Sequence, residues 1–187
     1  MSDLSLSNDR MPGDATPRAV LLGVAGAGKT TAGRMAADLL GVPLIEVDDL
    51  VEQATHQSVA DLVVMQDSRL PDLLTEATLR ALRPGGEAEG AIVTLGASVP
   101  TYPQVPPAIQ GARAHGTVVI ELAADLGTIA SRNGLNAPRS LALGQPRRLL
   151  ARMAAELEAA YGPLVDQRID TTHMSPDEVA RAIVAAV

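Results

Sequence analysis

Residues 20–31 read VLLGVAGAGKTT, and no other stretch of the chain constrains its fold as tightly. The aliphatic run AVLLG (19–23) is too short for a helix and ends in glycine, so it reads as a buried strand. TTAGRMAADLL (30–40), closed by Gly41 and Pro43, has the length and stop signals of a helix. Between them, Gly23-x-x-x-x-Gly28-Lys29-Thr30 fits the phosphate-loop pattern in the strand-to-helix context that pattern requires. Gly23, Gly26 and Gly28 let the backbone curl so that successive N–H groups point inward, with Ala27 and Thr31 completing the loop. The helix N-terminus adds partial positive charge, and Thr30 presents a hydroxyl suited to Mg²⁺. Lys29 is the only lysine in the chain; the other basic residues are arginine. A compact ammonium enters such a nest as a point charge, whereas a planar guanidinium is too broad for it.

The remaining composition sets bounds. At 187 residues, 47% hydrophobic and 20% charged, the chain reads as one globular domain. It has no Phe, Trp or Cys and only two tyrosines, so its core is aliphatic and it has neither disulfides nor thiolate metal sites. A net charge of −7 argues against a nucleic-acid surface. No apolar run approaches the ~20 residues that span a bilayer, and residues 1–17 carry no signal-peptide pattern. The expectation is a cytoplasmic protein with a disordered tail over 1–17 and a single domain over 18–187.

Further along, short β-branched runs alternate with longer Ala- and Leu-rich stretches. Strands are expected at 43–47, 91–96, 116–122 and 165–171, and helices near 49–65, 72–83, 124–132, 147–161 and 175–187. Ser175, Pro176 and the acids that follow form a helix-start signal. The Pro-rich 99–107 reads as irregular, and 133–146 as a mobile loop. Such alternation predicts an α/β fold, with a parallel sheet covered on both faces.

From residue 18 onward the chain resembles shikimate kinase. Beyond the phosphate loop, the likeness lies in EVDDLVEQATHQSVADL (46–62), IVTLGAS (92–98), TVVIEL (117–122), SRNGLNAPRSL (131–141) and RIDTTHMSP (168–176). The resemblance implies a three-layer α/β/α P-loop kinase with a five-stranded parallel sheet and a lid at about 133–146. It also implies a monomer that transfers the γ-phosphoryl of MgATP to a hydroxyl of shikimate. In that alignment Lys29 and Thr30 take the phosphate and Mg²⁺ positions, and Arg139 the lid arginine that reaches the transferring group. Arg132 and Pro176 take the two positions that flank adenine, although Arg132 also reads as a helix-terminal cation. Glu46 stands in for the aspartate near Mg²⁺. Asp48, which also reads as a helix N-cap, takes the position that orients or deprotonates the acceptor hydroxyl, with Asp49 a neighbouring candidate.

The acceptor side departs from the family. Its two carboxylate-clamping arginines fall at Leu73 and Leu157, and its Gly-Gly-Gly is here Gly96-Ala97-Ser98, with Gly96 and Ala97 as acceptor contacts. Arg69, Arg80 and Arg152 lie on the right segments to compensate, in other helical registers. Three functions stay open: a kinase for shikimate or a related hydroxy acid, a kinase for another acceptor such as a sugar acid, and a nucleotide-binding regulatory protein without acceptor chemistry. VDDL (47–50) is also reminiscent of the gluconate kinases. His56, His115 and His173 read as surface residues, Met35 and Met153 as core, and Tyr161 as packing.

Overall fold

The structure is a computed structural model and describes residues 15–133 and 145–187. Its elements are β1 (Ala19–Leu22), α1 (Lys29–Leu40), β2 (Leu44–Glu46), α2 (Val47–Thr55), α3 (Val59–Val64), α4 (Leu70–Leu82) and β3 (Ile92–Thr94). A 3₁₀ turn (Val99–Thr101) then leads to α5 (Val105–Ala114), β4 (Val118–Ala123), α6 (Leu126–Arg132), α7 (Gln145–Tyr161), β5 (Gln167–Asp170) and α8 (Pro176–Ala186). The strands form one parallel sheet in the order β2-β3-β1-β4-β5.

Alternation along the strands sends side chains to two separate cores. Val20, Leu22, Val93, Leu95 and Val119 pack with Val51 of α2, Leu74 of α4, Ile109 of α5 and Tyr161 of α7. Ala19, Leu21, Ile92, Ile120 and Leu122 pack instead with Ala32 and Ala36 of α1 and with Val179 and Ile183 of α8. These are the two faces of a three-layer α/β/α sandwich. Chain order reverses around β1, which lies between β3 and β4, so the carboxyl ends of β1, β2 and β3 open a crevice where such sheets hold ligands.

Four details differ from the sequence reading. Residues 15–17 are not part of a free tail: Thr16 is buried, and the carbonyl oxygens of Ala15 and Thr16 accept from Gly85 and Gly90 N–H. Thr117 Oγ1 also donates to the Pro17 carbonyl and shares a hydrogen bond with Thr16 Oγ1. The helix expected across 49–65 breaks where His56 turns left-handed and Ser58 caps α3. The Pro-rich stretch is only partly irregular, because α5 begins at Val105 with prolines in its first turn, where an N–H has no intrahelical partner to lose. Residues 145 and 146, expected in the loop, begin α7, whereas 134–144 and Arg139 lie outside the described residues. No helix among the described residues is long and apolar enough to cross a membrane.

The start of α8 is a full capping box: Ser175 Oγ accepts from Glu178 N–H, and the Glu178 carboxylate accepts from Ser175 N–H at 2.7 Å. Because α8 packs along α1 beneath the loop, Ser175→Ala is expected to lower the thermal midpoint by about 2–4 °C, read by circular dichroism.

Candidate active site

The segment after β1 turns tightly because Gly23 adopts φ 143°, and a Cβ there would overlap the Leu122 carbonyl oxygen of β4. Gly28 caps α1 in the left-handed region at φ 99° and offers no side-chain acceptor. The first-turn N–H groups of α1 are thus left for an external anion. Lys29 folds back over this turn and donates to the carbonyl oxygens of Gly23 at 2.7 Å and Val24 at 3.3 Å. Burial lowers its pKa to about 8, against the opposing pull of the Asp48 and Glu46 carboxylates.

The two carboxylates come from the end of β2 and the start of α2. Glu46 is the extended N-cap residue of α2 and makes no capping bond, so Asp48 lies in the first helical turn instead of capping it. Thr30 Oγ1 donates to Glu46 Oε2 at 3.2 Å. The other oxygen, Glu46 Oε1, is buried without a hydrogen-bond partner and lies 3.8 Å from the exposed Arg34 guanidinium. Asp48 Oδ1 is likewise buried and unpartnered. Burial raises the Asp48 pKa above the usual carboxylate range, and the Lys29 ammonium pulls it back down. Bare carboxylate oxygens beside a threonine hydroxyl are the hard donors that Mg²⁺ takes, so Thr30 and Glu46 fit the metal expected there. Among the described residues no cluster of three acidic or histidine side chains would cage a metal alone. A cation held by Thr30 and Glu46 would take its remaining ligands from water or phosphate oxygens.

One cavity of about 670 Å³ joins these groups. Gly26, Ala27, Gly28, Lys29, Thr30 and Thr31 form one wall, and Glu46, Asp48, Gly96 and Ala97 another, with Arg132 and Pro176 at the far end. Gly23 shapes the turn from outside the lining, and Asp49 does not reach the cavity. A Cβ on Gly96 would sit 3.4 Å from Asp48 Oδ1, so this glycine borders the buried carboxylate oxygen directly.

Three residues absent from the sequence reading, Thr171, Asn133 and Met174, join the expected Arg132 to complete the site. Arg132, the last residue of α6, donates to the Gly26 carbonyl at 3.3 Å and to Thr171 Oγ1 and O at 3.1 Å each. Thr171 Oγ1 reaches the Ala27 carbonyl at 3.3 Å, and Asn133 Nδ2 donates to Ala25 O at 3.0 Å. Met174 lines the same end of the cavity as Pro176. The available signal was the polar pair Thr171-Thr172 directly after a strand, which periodicity reads only as a strand end.

On the acceptor side, Leu73 and Leu157 are half-buried against the apolar core that holds Val47, Val51 and Tyr161. None of the three arginines expected to compensate enters the cavity. Arg69 pairs with Asp67, Arg80 with Glu87 and Arg152 with Glu156, each on the surface. His56, His115 and His173 are exposed as expected, and Met35 packs against the α1 core. Met153, read as core, is 50% exposed, because its face of α7 points away from the sheet.

A sequence model of shikimate kinase matches residues 25–187. The shikimate kinase of Mycobacterium tuberculosis (strain ATCC 25177 / H37Ra) is 33% identical over 170 residues, covering 90% of this chain and 92% of that protein. That of Thermobifida fusca is 33% identical over 172 residues, covering 89% and 92%. Among solved structures, shikimate kinase from Acinetobacter baumannii in complex with shikimate superposes with a TM-score of 0.70 at 20% identity, covering 91% and 92%. With the phosphate loop, the parallel sheet and these relatives in agreement, the chain belongs to the shikimate kinase family of small-molecule kinases.

Proposed function

We propose that the protein transfers the γ-phosphoryl group of MgATP to a hydroxyl of shikimate or a closely related small hydroxy acid. The observation that carries this reading is the unpartnered Asp48 Oδ1, buried in the same cavity as the loop amides and Lys29. An aspartate held without a partner costs stability unless a ligand supplies one, and a hydroxyl proton meets that need.

In this reading the triphosphate lies along the N–H groups of residues 26–31, and the Lys29 ammonium leaves its own loop carbonyls for the β- and γ-phosphates. Thr30 and Glu46 would hold Mg²⁺, which would supply positive charge to offset that of the phosphoryl oxygens. Arg132, hydrogen-bonded in its plane to Gly26 and Thr171, offers a guanidinium face to the base beside Pro176. Asp48 accepts the acceptor's hydroxyl proton as that oxygen bonds to phosphorus and the bond to ADP breaks. Arg139, from the segment between α6 and α7, stabilises the charge on the transferring group.

A second reading, a kinase with another hydroxylated acceptor, is favoured by the acceptor wall. By the sequence resemblance, Leu73 and Leu157 take the positions of the family's clamp arginines, and each charge-assisted hydrogen bond lost removes roughly 1.5–3 kcal/mol from carboxylate binding. A nucleotide-binding regulator is the remaining alternative.

A coupled assay with MgATP and a panel of shikimate, sugar acids and neutral polyols separates these readings. Turnover of shikimate or a close hydroxy acid is expected, with Asp48→Asn lowering kcat by about 10²–10⁴. Turnover of another acceptor alone selects the second reading, and saturable MgATP binding without turnover selects the regulator. Leu157→Arg is expected to lower the KM for shikimate by about tenfold, by restoring one carboxylate partner.

The Lys29 environment sets a pH dependence. Phosphate binds the protonated ammonium, and its pKa in the free protein is about 8. Below that pH the cation is already present. Above it, binding requires proton uptake, and Kd for MgATP rises by up to about tenfold per pH unit. Calorimetry between pH 7 and 9.5 in buffers of different ionisation enthalpy is expected to show uptake approaching one proton at the alkaline end. A pH-independent Kd across that range overturns this assignment.

A further inference from the structure

The chain has two aromatic residues, Tyr102 and Tyr161, and both hydroxyls end on the same two-residue segment. Tyr161, at the end of α7, is fully buried and donates at 2.6 Å to the carbonyl oxygen of Ala97. Tyr102 follows the 3₁₀ turn, and its hydroxyl shares a 3.3 Å hydrogen bond with Ser98 Oγ. Ala97 lines the cavity together with Gly96, the residue that borders the buried Asp48 Oδ1.

This segment has few anchors of its own. β3 ends at Thr94, and the last main-chain bond back to the sheet is Leu95 N–H to the Leu21 carbonyl at 3.2 Å. The Gly96 and Ser98 carbonyls accept from Val99 and Thr101 within the turn. Among the described residues, the Tyr161 hydroxyl is the one donor to the Ala97 carbonyl. A buried phenol stabilises a core only if its hydroxyl is paired, and a chain otherwise without Phe or Trp uses tyrosine at this position. Burial and the nearby Glu121 carboxylate push the Tyr161 phenol up, so it remains a donor throughout the neutral range.

We propose that Tyr161, assisted by Tyr102, is a positioning residue for the acceptor: the two phenols fix the Gly96–Ser98 segment against Asp48 and so set the shape of the acceptor wall. The Ala97 and Ser98 side chains then stand in fixed places, and the end of α7 is tied directly to the acceptor pocket. This rests on the kinase reading above.

Tyr161→Phe keeps the packed ring and deletes only the hydroxyl. By hydrogen exchange, amides in residues 95–102 are expected to exchange about tenfold faster, with the phosphate loop (20–31) unchanged. In the assay with shikimate, the acceptor KM is expected to rise about tenfold while kcat and the KM for ATP stay within twofold. Tyr102→Phe shifts both readouts the same way by a smaller factor, because its bond is longer and more exposed. Unchanged exchange at 95–102, equal loosening of the phosphate loop, or an acceptor KM that is unchanged or rises only together with the KM for ATP overturns the proposal. The exchange measurement needs no turnover, so an inactive enzyme tests the kinase reading while exchange still tests this one.

Discussion

The site is organised around a buried ammonium that, among the described residues, has no anion in contact. Lys29 is held by two carbonyl oxygens of the loop it belongs to, and the nearest carboxylates act on it only through space. Carbonyl dipoles stabilise a cation less than a phosphate does, and the lowered pKa expresses that shortfall. The stability given up in the free protein becomes differential affinity for a polyanion. Arginine would serve poorly here, because five donors fixed in a plane cannot be satisfied by two carbonyls in so tight a turn.

The rest of the fold keeps that ammonium facing the carboxylates. In the sheet Leu21 is in register with Thr94, and Thr94 with Glu46, so the ends of β1, β3 and β2 form one ledge. The side chains that line the cavity include two cations, Lys29 and Arg132, and two anions, Glu46 and Asp48. The cations sit on the loop side and the anions across the crevice. That separation creates a field along the path a phosphoryl group would travel, from the amide-lined loop towards Asp48. Arg132 and Thr171 lock the outer bend of the loop to the β5–α8 connection, so loop shape and nucleotide-end geometry are set together.

Most of this arrangement was legible in the sequence, for a local reason. A strand, a glycine turn and a helix are encoded by contiguous residues, and Lys29 and Thr30 have their positions fixed by that geometry alone. Asp48 was legible as a candidate because it lies just beyond a strand, although its hydrogen-bonding state was not. Its reading as an N-cap failed because the extended residue before the helix is Glu46, two positions earlier. α5 was missed because two prolines mark both irregular chain and a helical first turn, and nothing nearby in the sequence separates the two. The Arg132–Thr171–Ala27 latch joins residues far apart in sequence, and periodicity carries no information about such bonds. Leu73 and Leu157 were legible as departures, but only packing shows that they join the core and that the neighbouring arginines pair on the surface.

The acceptor wall combines a loss of charge with a particular source of rigidity. A pocket that clamps a carboxylate gains its geometry from the ligand, because two arginines close on a fixed anion. Here the corresponding helical faces are apolar, and the wall is held from behind by tyrosine hydroxyls bonded to Ala97 and Ser98. In the proposed kinase, shape would then discriminate between acceptors more than charge does, and shape in a packed wall responds to single methyl groups. The side chain that Ala97 brings to the cavity would there occupy space that a Gly-Gly-Gly segment leaves to the substrate. Preorganisation offsets part of the lost electrostatic binding, since a wall already ordered does not have to be ordered by the ligand.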